Sequence, residues 1–182
     1  MKSQRGVTIW FTGLPCCGKT TIADQVAVVL KKKGVRVERL DGDLVRQSFS
    51  SDLGFSKKDR DENIRRAIVL AKKLTSENVV VLASFVSPYR RHRRDARAQI
   101  KNFVEVYVQC PVDICMKRDV KGMYQKALEG KIKHFTGVDD PYEEPVHPEL
   151  VVHTDVESVE ESVRKVLEKI EELGFSPDTK RR

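Results

Sequence analysis

Five apolar runs of strand length punctuate the chain, at residues 7–12, 35–40, 79–85, 103–110 and 150–153, and Val and Ile dominate them with little polar alternation. A strand that is apolar on both faces belongs in a parallel sheet covered by helices on each side, since a sheet with one wet face would alternate. Between the runs, residues 19–33, 57–77, 88–101 and 157–173 carry apolar side chains at helical spacing. Ser56 with Asp59 forms a capping box at the start of the second of these, and Gly34 and Gly174 stand where helix stop signals belong. The alternation predicts an α/β architecture, a parallel five-stranded sheet flanked by helices. Residues 121–148 break the rhythm, with two glycines after Gly122, three prolines, and Lys, Phe, Tyr and acidic residues in no clear period. A loop of that length in a compact domain is usually a lid or a binding loop, and residues 176–182 read as a frayed polar tail.

Composition narrows the classes. The 182 residues suit one domain with a substantial core, and 40% hydrophobic with 34% charged residues exclude a disordered or fibrous chain. No apolar run approaches the roughly 18 residues of a spanning helix, and the N-terminal MKSQRGVTIWFTG has no cleavage-site pattern, so a cytoplasmic protein with no membrane partner is expected. The excess of 34 Lys and Arg over 27 Asp and Glu fits an anionic small molecule or a nucleic acid and does not choose between them. Cys16 and Cys17 are adjacent and Cys110 and Cys115 lie five apart, while His92, His134, His147 and His153 complete no zinc spacing; reduced thiols are expected.

The first strand runs into Gly13-Leu14-Pro15-Cys16-Cys17-Gly18-Lys19-Thr20-Thr21, which fits GxxxxGK[ST] between a strand and a helix. Glycines let backbone N–H groups curl around a β-phosphate, lysine reaches the β and γ oxygens, and a hydroxyl holds Mg²⁺, all at the positive end of a helix. Lys19 is the cation and Thr20 the hydroxyl, so ATP and Mg²⁺ are the implied cofactors and the fold is a P-loop NTPase fold. Cys16 and Cys17 read as small loop residues, with a low-pKa redox thiol at the helix start as the alternative.

After the second strand come Asp41-Gly42-Asp43 and Arg46, and the third strand ends without an acidic residue, so the usual Walker B aspartate is missing. Asp41 and Asp43 at a strand's carboxyl end are placed to orient Mg²⁺ and its water or to take a proton from an acceptor hydroxyl; a plain acidic turn is the alternative. The switch and NKxD-like elements of a GTPase are also missing. Arg60 and Asn63, three apart on one helix face, can reach one ligand. Phe55 stands at the staple position before Ser56, yet its staple partner would be Arg60, which is not apolar. Ser87-Pro88-Tyr89-Arg90 follows the third strand, where open α/β sheets bind ligands; Ser87 as N-cap with proline at N1 is the alternative. Arg90, Arg91, Arg93, Arg94 and Arg97 make a basic helix start, mostly solvated, with Arg90 turned to the phosphates.

These motifs resemble the adenylylsulfate kinases (APS kinases), which phosphorylate the 3′-hydroxyl of adenylyl sulfate with MgATP in sulfate assimilation. The likeness runs from Trp10 to Thr154 through the phosphate loop, DGDLVR, DLGFSKKDRDENIRR, SPYR, RDVKGMYQKALEGKIKHFTGVDDPYE and PEL. It implies that Arg46, Phe55, Arg60, Asn63 and Phe135 bind adenylyl sulfate, with adenine between Phe55 and Phe135, and that residues 121–145 form a mobile lid. Ser87, Arg90 and Lys121 join the acceptor site. Lys19, Asp41, Asp43 and Ser87 are the catalytic candidates, Asp43 as base, Thr20 and Asp41 on the Mg²⁺ side, and Ser87 as a hydrogen-bond donor to phosphate in place of the phosphoserine often described in the family. A stand-alone kinase forming a homodimer is implied. The phosphate loop departs from the common GLSGSGKST by reading GLPCCGKTT. The competing readings are a P-loop kinase of another small anionic acceptor, such as a nucleoside monophosphate, and a nucleic-acid-dependent NTPase using the arginines after Ser87; no stacking platform accompanies them, so no nucleic-acid partner is expected.

Overall fold

The structure is a computed structural model that describes residues 4–43, 45, 50–54 and 56–175. Five strands, β1 (Val7–Thr12), β2 (Val37–Asp41), β3 (Val80–Ser84), β4 (Phe103–Gln109) and β5 (Leu150–His153), pair in parallel in the order β2-β3-β1-β4-β5. Six helices are described: α1 (Lys19–Lys32), α2 (Lys57–Ser76), α3 (Arg90–Gln99), α4 (Val112–Lys117), α5 (Met123–Leu128) and α6 (Val159–Glu172). The chain winds to one side of β1 through β2 and β3 and to the other through β4 and β5. The crevice at the carboxyl end of β1 is therefore the switch point where such sheets take their ligands.

The four strands β1 to β4 each serve two cores, and β5 serves the first of them. Val7, Ile9 and Phe11 of β1 join α1 and α6 through Ile22, Val26, Leu30, Val166 and Ile170. Trp10 points the other way, onto the side of α2 and α3 with Ile64, Ile68, Ala96 and Ile100. The period of two survives although both faces are dry, which is why β1 and β3 are buried at every position.

The strand starts of the second and third apolar runs lie later than the hydrophobic pattern predicts, for one shared reason. Val35 and Val79 are buried, but they close helices. Gly34 at φ 76° gives its N–H to Lys31 O at 2.9 Å, and Val35 gives its own to Leu30 O at 3.0 Å. Asn78 at φ 60° and Val79 repeat this on Thr75 O and Leu74 O, both at 3.1 Å. A left-handed residue followed by an apolar one is a Schellman cap, and the apolar residue packs on the helix it ends.

Other boundaries also shift. The Ser56 hydroxyl accepts from Asp59 N at 3.1 Å and donates to Asp59 Oδ2 at 2.7 Å, a cap whose return bond lands on the side chain. The reciprocal box lies at Ser158 and Glu161, at the start of α6. Tyr89, not Ser87, is the N-cap of α3, because Ser87 adopts a left-handed backbone at φ 39°. Residues 121–148 contain α5, whose first amides are held by Asp119: its carboxylate accepts from Met123 N at 2.9 Å and Tyr124 N at 2.7 Å. Beyond α5, one isolated bridge joins Thr136 and Asp140.

Candidate active site

The carboxyl end of β1 turns directly into the glycine loop. Gly13 has φ 154°, and a Cβ there would stand 2.4 Å from Val108 O. Gly18 at φ 99° starts α1 without a side-chain cap, which leaves the first amides of that helix open to an acceptor. Cys16 also adopts positive φ, 62°, and Cys17 is fully buried. Burial and the Asp119 carboxylate push the Cys16 thiol above its ordinary value, against a smaller pull from Lys19, the opposite of what a reactive loop thiol needs. All four cysteines are free. Lys19, 8% exposed, folds over its own loop and donates to Leu14 O at 2.7 Å and Gly13 O at 3.1 Å. Thr154, just past β5, donates to Cys17 O at 2.8 Å and is clasped by Arg118, so the far edge of the sheet fixes the loop from behind.

Beside the loop, Thr20 Oγ1 donates to Asp41 Oδ2 at 2.7 Å, and the other Asp41 oxygen accepts from Asp43 N at 3.0 Å. A hydroxyl and a carboxylate oxygen in contact suit a hard cation that keeps water and phosphate oxygens as its remaining ligands. Among the described residues no group of three or more His, Cys, Asp or Glu could hold a metal by itself. Asp43 is exposed and its carboxylate is ion-paired with Lys121, which holds the lysine above its ordinary value. Two residues 78 apart in sequence thus meet at the mouth of the site.

The other flank is a cleft of about 650 Å³ walled by Lys57, Arg60, Tyr89, Arg91, His134 and Asp140, among others. Arg60 lies on the first turn of α2 and donates from NH1 to Asp140 Oδ2 at 2.8 Å and to Thr136 Oγ1 at 3.3 Å. The Tyr89 hydroxyl donates to the same Asp140 oxygen at 3.0 Å. Asn63, one turn further along α2, is 4% exposed with its Oδ1 unpartnered. A buried amide oxygen without a donor is costly. Phe135 packs edge-on to Tyr124 with ring centroids 4.9 Å apart. Arg46 and Phe55, both assigned to the acceptor from the sequence, lie outside the described residues.

Ser87 is 1% exposed. Its hydroxyl accepts from Trp10 Nε1 at 3.1 Å and donates to Thr12 Oγ1 at 3.0 Å; Thr12 donates in turn to Val86 O at 2.8 Å and accepts from the Tyr142 hydroxyl at 2.9 Å. Ser87 is therefore the centre of a closed network. Arg90 donates through Nε to Glu144 O at 2.8 Å, so it ties down the segment after Pro141 in this structure. Three of the four other arginines of α3 are paired more fully than a solvated helix face would require, while Arg94 is exposed. Arg93, 3% exposed, meets Glu105 at 2.8 Å, Arg97 meets Glu149 at 2.6 Å, and Arg91 meets Asp61 at 2.5 Å. The sequence reading assigns no individual role to Asp140, Tyr89, Thr136, Thr12 or Tyr142. Tyr89 stands in the SPYR motif, and Thr136, Asp140 and Tyr142 stand in the long aperiodic stretch that carries part of the family resemblance, where neither period nor spacing marks them out.

A parallel sheet with a glycine loop, a buried lysine and a hydroxyl at its switch point defines a P-loop protein of the kinase type. The sequence profile of the family described as Adenylylsulphate kinase matches residues 5–153. An adenylyl-sulfate kinase of Halothermothrix orenii is 55% identical over 175 residues, 96% of this chain and 95% of that one. One from a Picosynechococcus species is 53% identical over 172 residues, covering 94% and 97%. The solved structure of the Mycobacterium tuberculosis APS kinase in complex with AMPPNP and APS superposes with a TM-score of 0.88 at 40% identity, over 93% of this chain and 99% of that one. The chain belongs to the adenylylsulphate kinase family.

Proposed function

We propose that this protein transfers the γ-phosphoryl group of ATP to the 3′-hydroxyl of adenylyl sulfate, giving 3′-phosphoadenylyl sulfate and ADP. The observation that carries this reading is the family match over residues 5–153, which takes in both the phosphate loop and the cleft at Arg60. The acceptor oxygen O3′ forms a bond to the γ-phosphorus as the bond from that phosphorus to the β,γ-bridging oxygen breaks, and ADP leaves. The proton of the 3′-hydroxyl goes to the Asp43 carboxylate, which Lys121 holds in place at the site's mouth. The loop amides after Gly13 and the Lys19 ammonium bind the β- and γ-phosphates, and Lys19 leaves the Gly13 and Leu14 carbonyls to do so. When bound, Mg²⁺ supplies charge neutralisation on the phosphates, with Thr20 and Asp41 the residues to hold it.

Arg60 and Asn63 take the acceptor, the guanidinium on its anionic group and the amide on a donor, while Phe55 and Phe135 flank the adenine. The enclosure of the Ser87 hydroxyl favours direct transfer between the two nucleotides over a phosphoserine intermediate: in-line transfer needs positioning and charge neutralisation, and Ser87 supplies the former through Trp10 and Thr12. The same reading includes a cytoplasmic location and a homodimer, the second of which light scattering on the purified protein tests. No described helix is long and apolar enough to cross a membrane.

The test is ADP release from MgATP with adenylyl sulfate, beside AMP, CMP, shikimate, gluconate and no acceptor, with product mass. Turnover with adenylyl sulfate alone, with one phosphate added, is expected. Turnover with another acceptor and not with adenylyl sulfate would leave the phosphate loop's role standing and remove those of Phe55, Arg60, Asn63 and Phe135.

A further inference from the structure

The cleft beside Arg60 is lined by two carboxylates, Asp140 and Glu143, where an anion site would be expected to gather cations only; Glu143 accepts from the Arg90 N–H at 2.7 Å, and Asp140 is the one that sits on Arg60. Asp140 has a side chain 17% exposed against a guanidinium at 12%, so the pair is largely screened from water. It lies in the cleft wall with Lys57, Arg60 and Arg91. Two of those three cations are offset, Arg60 by Asp140 at 2.8 Å and Arg91 by Asp61 at 2.5 Å. A site built for the greatest anion affinity would not place a half-buried carboxylate on one of its arginines, so the positive charge of this one is limited.

We propose that Asp140 sets the charge selectivity of the acceptor site, favouring a nucleoside 5′-phosphosulfate over the nucleoside 5′-diphosphate of the same shape. This rests on the acceptor assignment made above. The two molecules offer the same oxygens in the same places, so hydrogen-bond geometry does not tell them apart. They differ by one charge: a sulfate half-ester is a monoanion, whereas a terminal phosphate, with a second pKa of about 6, is a dianion at pH 8. A fixed carboxylate on the guanidinium that receives this group repels the extra charge. At an effective dielectric of about 20 and about 6 Å separation, one such repulsion is worth on the order of tenfold to a hundredfold in affinity. The discrimination matters because the diphosphate of adenosine is itself a product of the reaction.

Asp140 acts through Arg60 and by its field, so it is a positioning and selectivity residue, and Tyr89 provides the control. Its hydroxyl bonds the same Asp140 oxygen at 3.0 Å, so Tyr89→Phe loosens the carboxylate without removing its charge. Asp140→Asn keeps the shape and an acceptor oxygen and removes the charge; Asp140→Ser is a second neutral variant should the first fold poorly.

The experiment is an internal competition at pH 8: adenylyl sulfate and ADP together as acceptors, limiting MgATP, and the ratio of 3′-phosphoadenylyl sulfate to 3′-phospho-ADP read by mass. The ratio depends on neither the amount of folded enzyme nor ADP held at the donor site, so a merely structural role for Asp140 would not move it. The expected result is a ratio about tenfold lower in Asp140→Asn or Asp140→Ser, and within about twofold of the starting value in Tyr89→Phe. A shift of less than about threefold in the neutral variants, no detectable 3′-phospho-ADP from either, or an equal shift in Tyr89→Phe would overturn the proposal. Failure of the unsubstituted protein to form 3′-phosphoadenylyl sulfate would overturn the acceptor assignment itself, an outcome distinct from an unchanged ratio.

Discussion

Ser87 shows how a residue placed by sequence at the chemistry can act as its framework. Replacing it by Ala leaves the buried Trp10 Nε1–H without its acceptor, at a cost of about 1–3 kcal/mol, which for a chain of this length lowers Tm by roughly 2–10 °C. Turnover of Ser87→Ala at a temperature where it is folded is expected within about threefold of the parent, and a collapse of kcat there would restore the covalent intermediate. Lys19→Ala and Asp43→Asn are expected to behave differently. Each keeps the fold, the first losing at least about a hundredfold in kcat as a phosphate cation is removed, the second losing about a hundredfold or more with little change in the KM for ATP. Full kcat in Asp43→Asn would withdraw its role as base. Lys19 and Thr20 were legible in the sequence because the loop that uses them is contiguous, its geometry set by glycines a few residues away. The partners of Arg60 were not: Thr136 and Asp140 are 76 and 80 residues further on, and no periodicity encodes a contact of that separation.

At the scale of elements, α2 and α3 are clamped by Asp61, which accepts from Arg91 and lies 2.6 Å from His92 Nε2. With the carboxylate ionised, Nε2 carries the hydrogen and His92 Nδ1, buried and unpartnered, stays bare. Burial holds the imidazole below its usual value of 6.5, outweighing the Asp61 hydrogen bond, so the folded state resists a proton that the unfolded state accepts. The sign follows: stability is intact above about pH 6.5 and is lost as pH falls below it, at up to about 1.4 kcal/mol per pH unit. Urea denaturation at pH 7.5 and 5.5 is expected to show a larger loss for the parent than for His92→Gln, which keeps a donor to Asp61 and does not titrate; equal losses would contradict this. A second pair joins α3 to β4. Arg93→Met leaves the buried Glu105 with Arg97 alone, at 3.3 Å, and takes the donor from Ser87 O and Glu143 O, and is expected to cost about 3–5 kcal/mol by urea denaturation; Arg93→Met with Glu105→Leu is expected to recover only the part due to the carboxylate. Strands and helices were largely legible because apolar period and turn residues act locally. The misread starts of β2 and β3 are where a cap and a strand make the same demand, an apolar residue after a left-handed one, and sequence alone does not say which receives it.

Across the whole molecule, the stretch after Lys117 touches both halves of the site. The Tyr124 hydroxyl donates to Pro15 O at 3.0 Å, and Lys121 reaches Asp43 on the donor side. Asp140 holds Arg60, Tyr142 holds Thr12, and the Glu143 and Glu144 carbonyls hold Arg93 and Arg90 on the acceptor side. Its tip has no comparable anchorage: Lys131 and Lys133 are exposed, between α5 and the turn in which Asp139 accepts from His134 N and Phe135 N. Under the proposed function, a segment bonded to both subsites is expected to couple their occupancy, because closing it over one ligand would fix contacts that the other needs. Limited trypsin digestion tests this directly. Cleavage after Lys131 and Lys133 is expected to slow by about threefold with ADP or adenylyl sulfate alone, and by well over tenfold with both, as ligand at about 100 times its Kd draws down the open state. Protection by the pair no greater than the product of the single effects would mean that the two ligands do not communicate through this segment. The phosphate loop and the Arg60 cleft would then be independent sites joined only by the sheet.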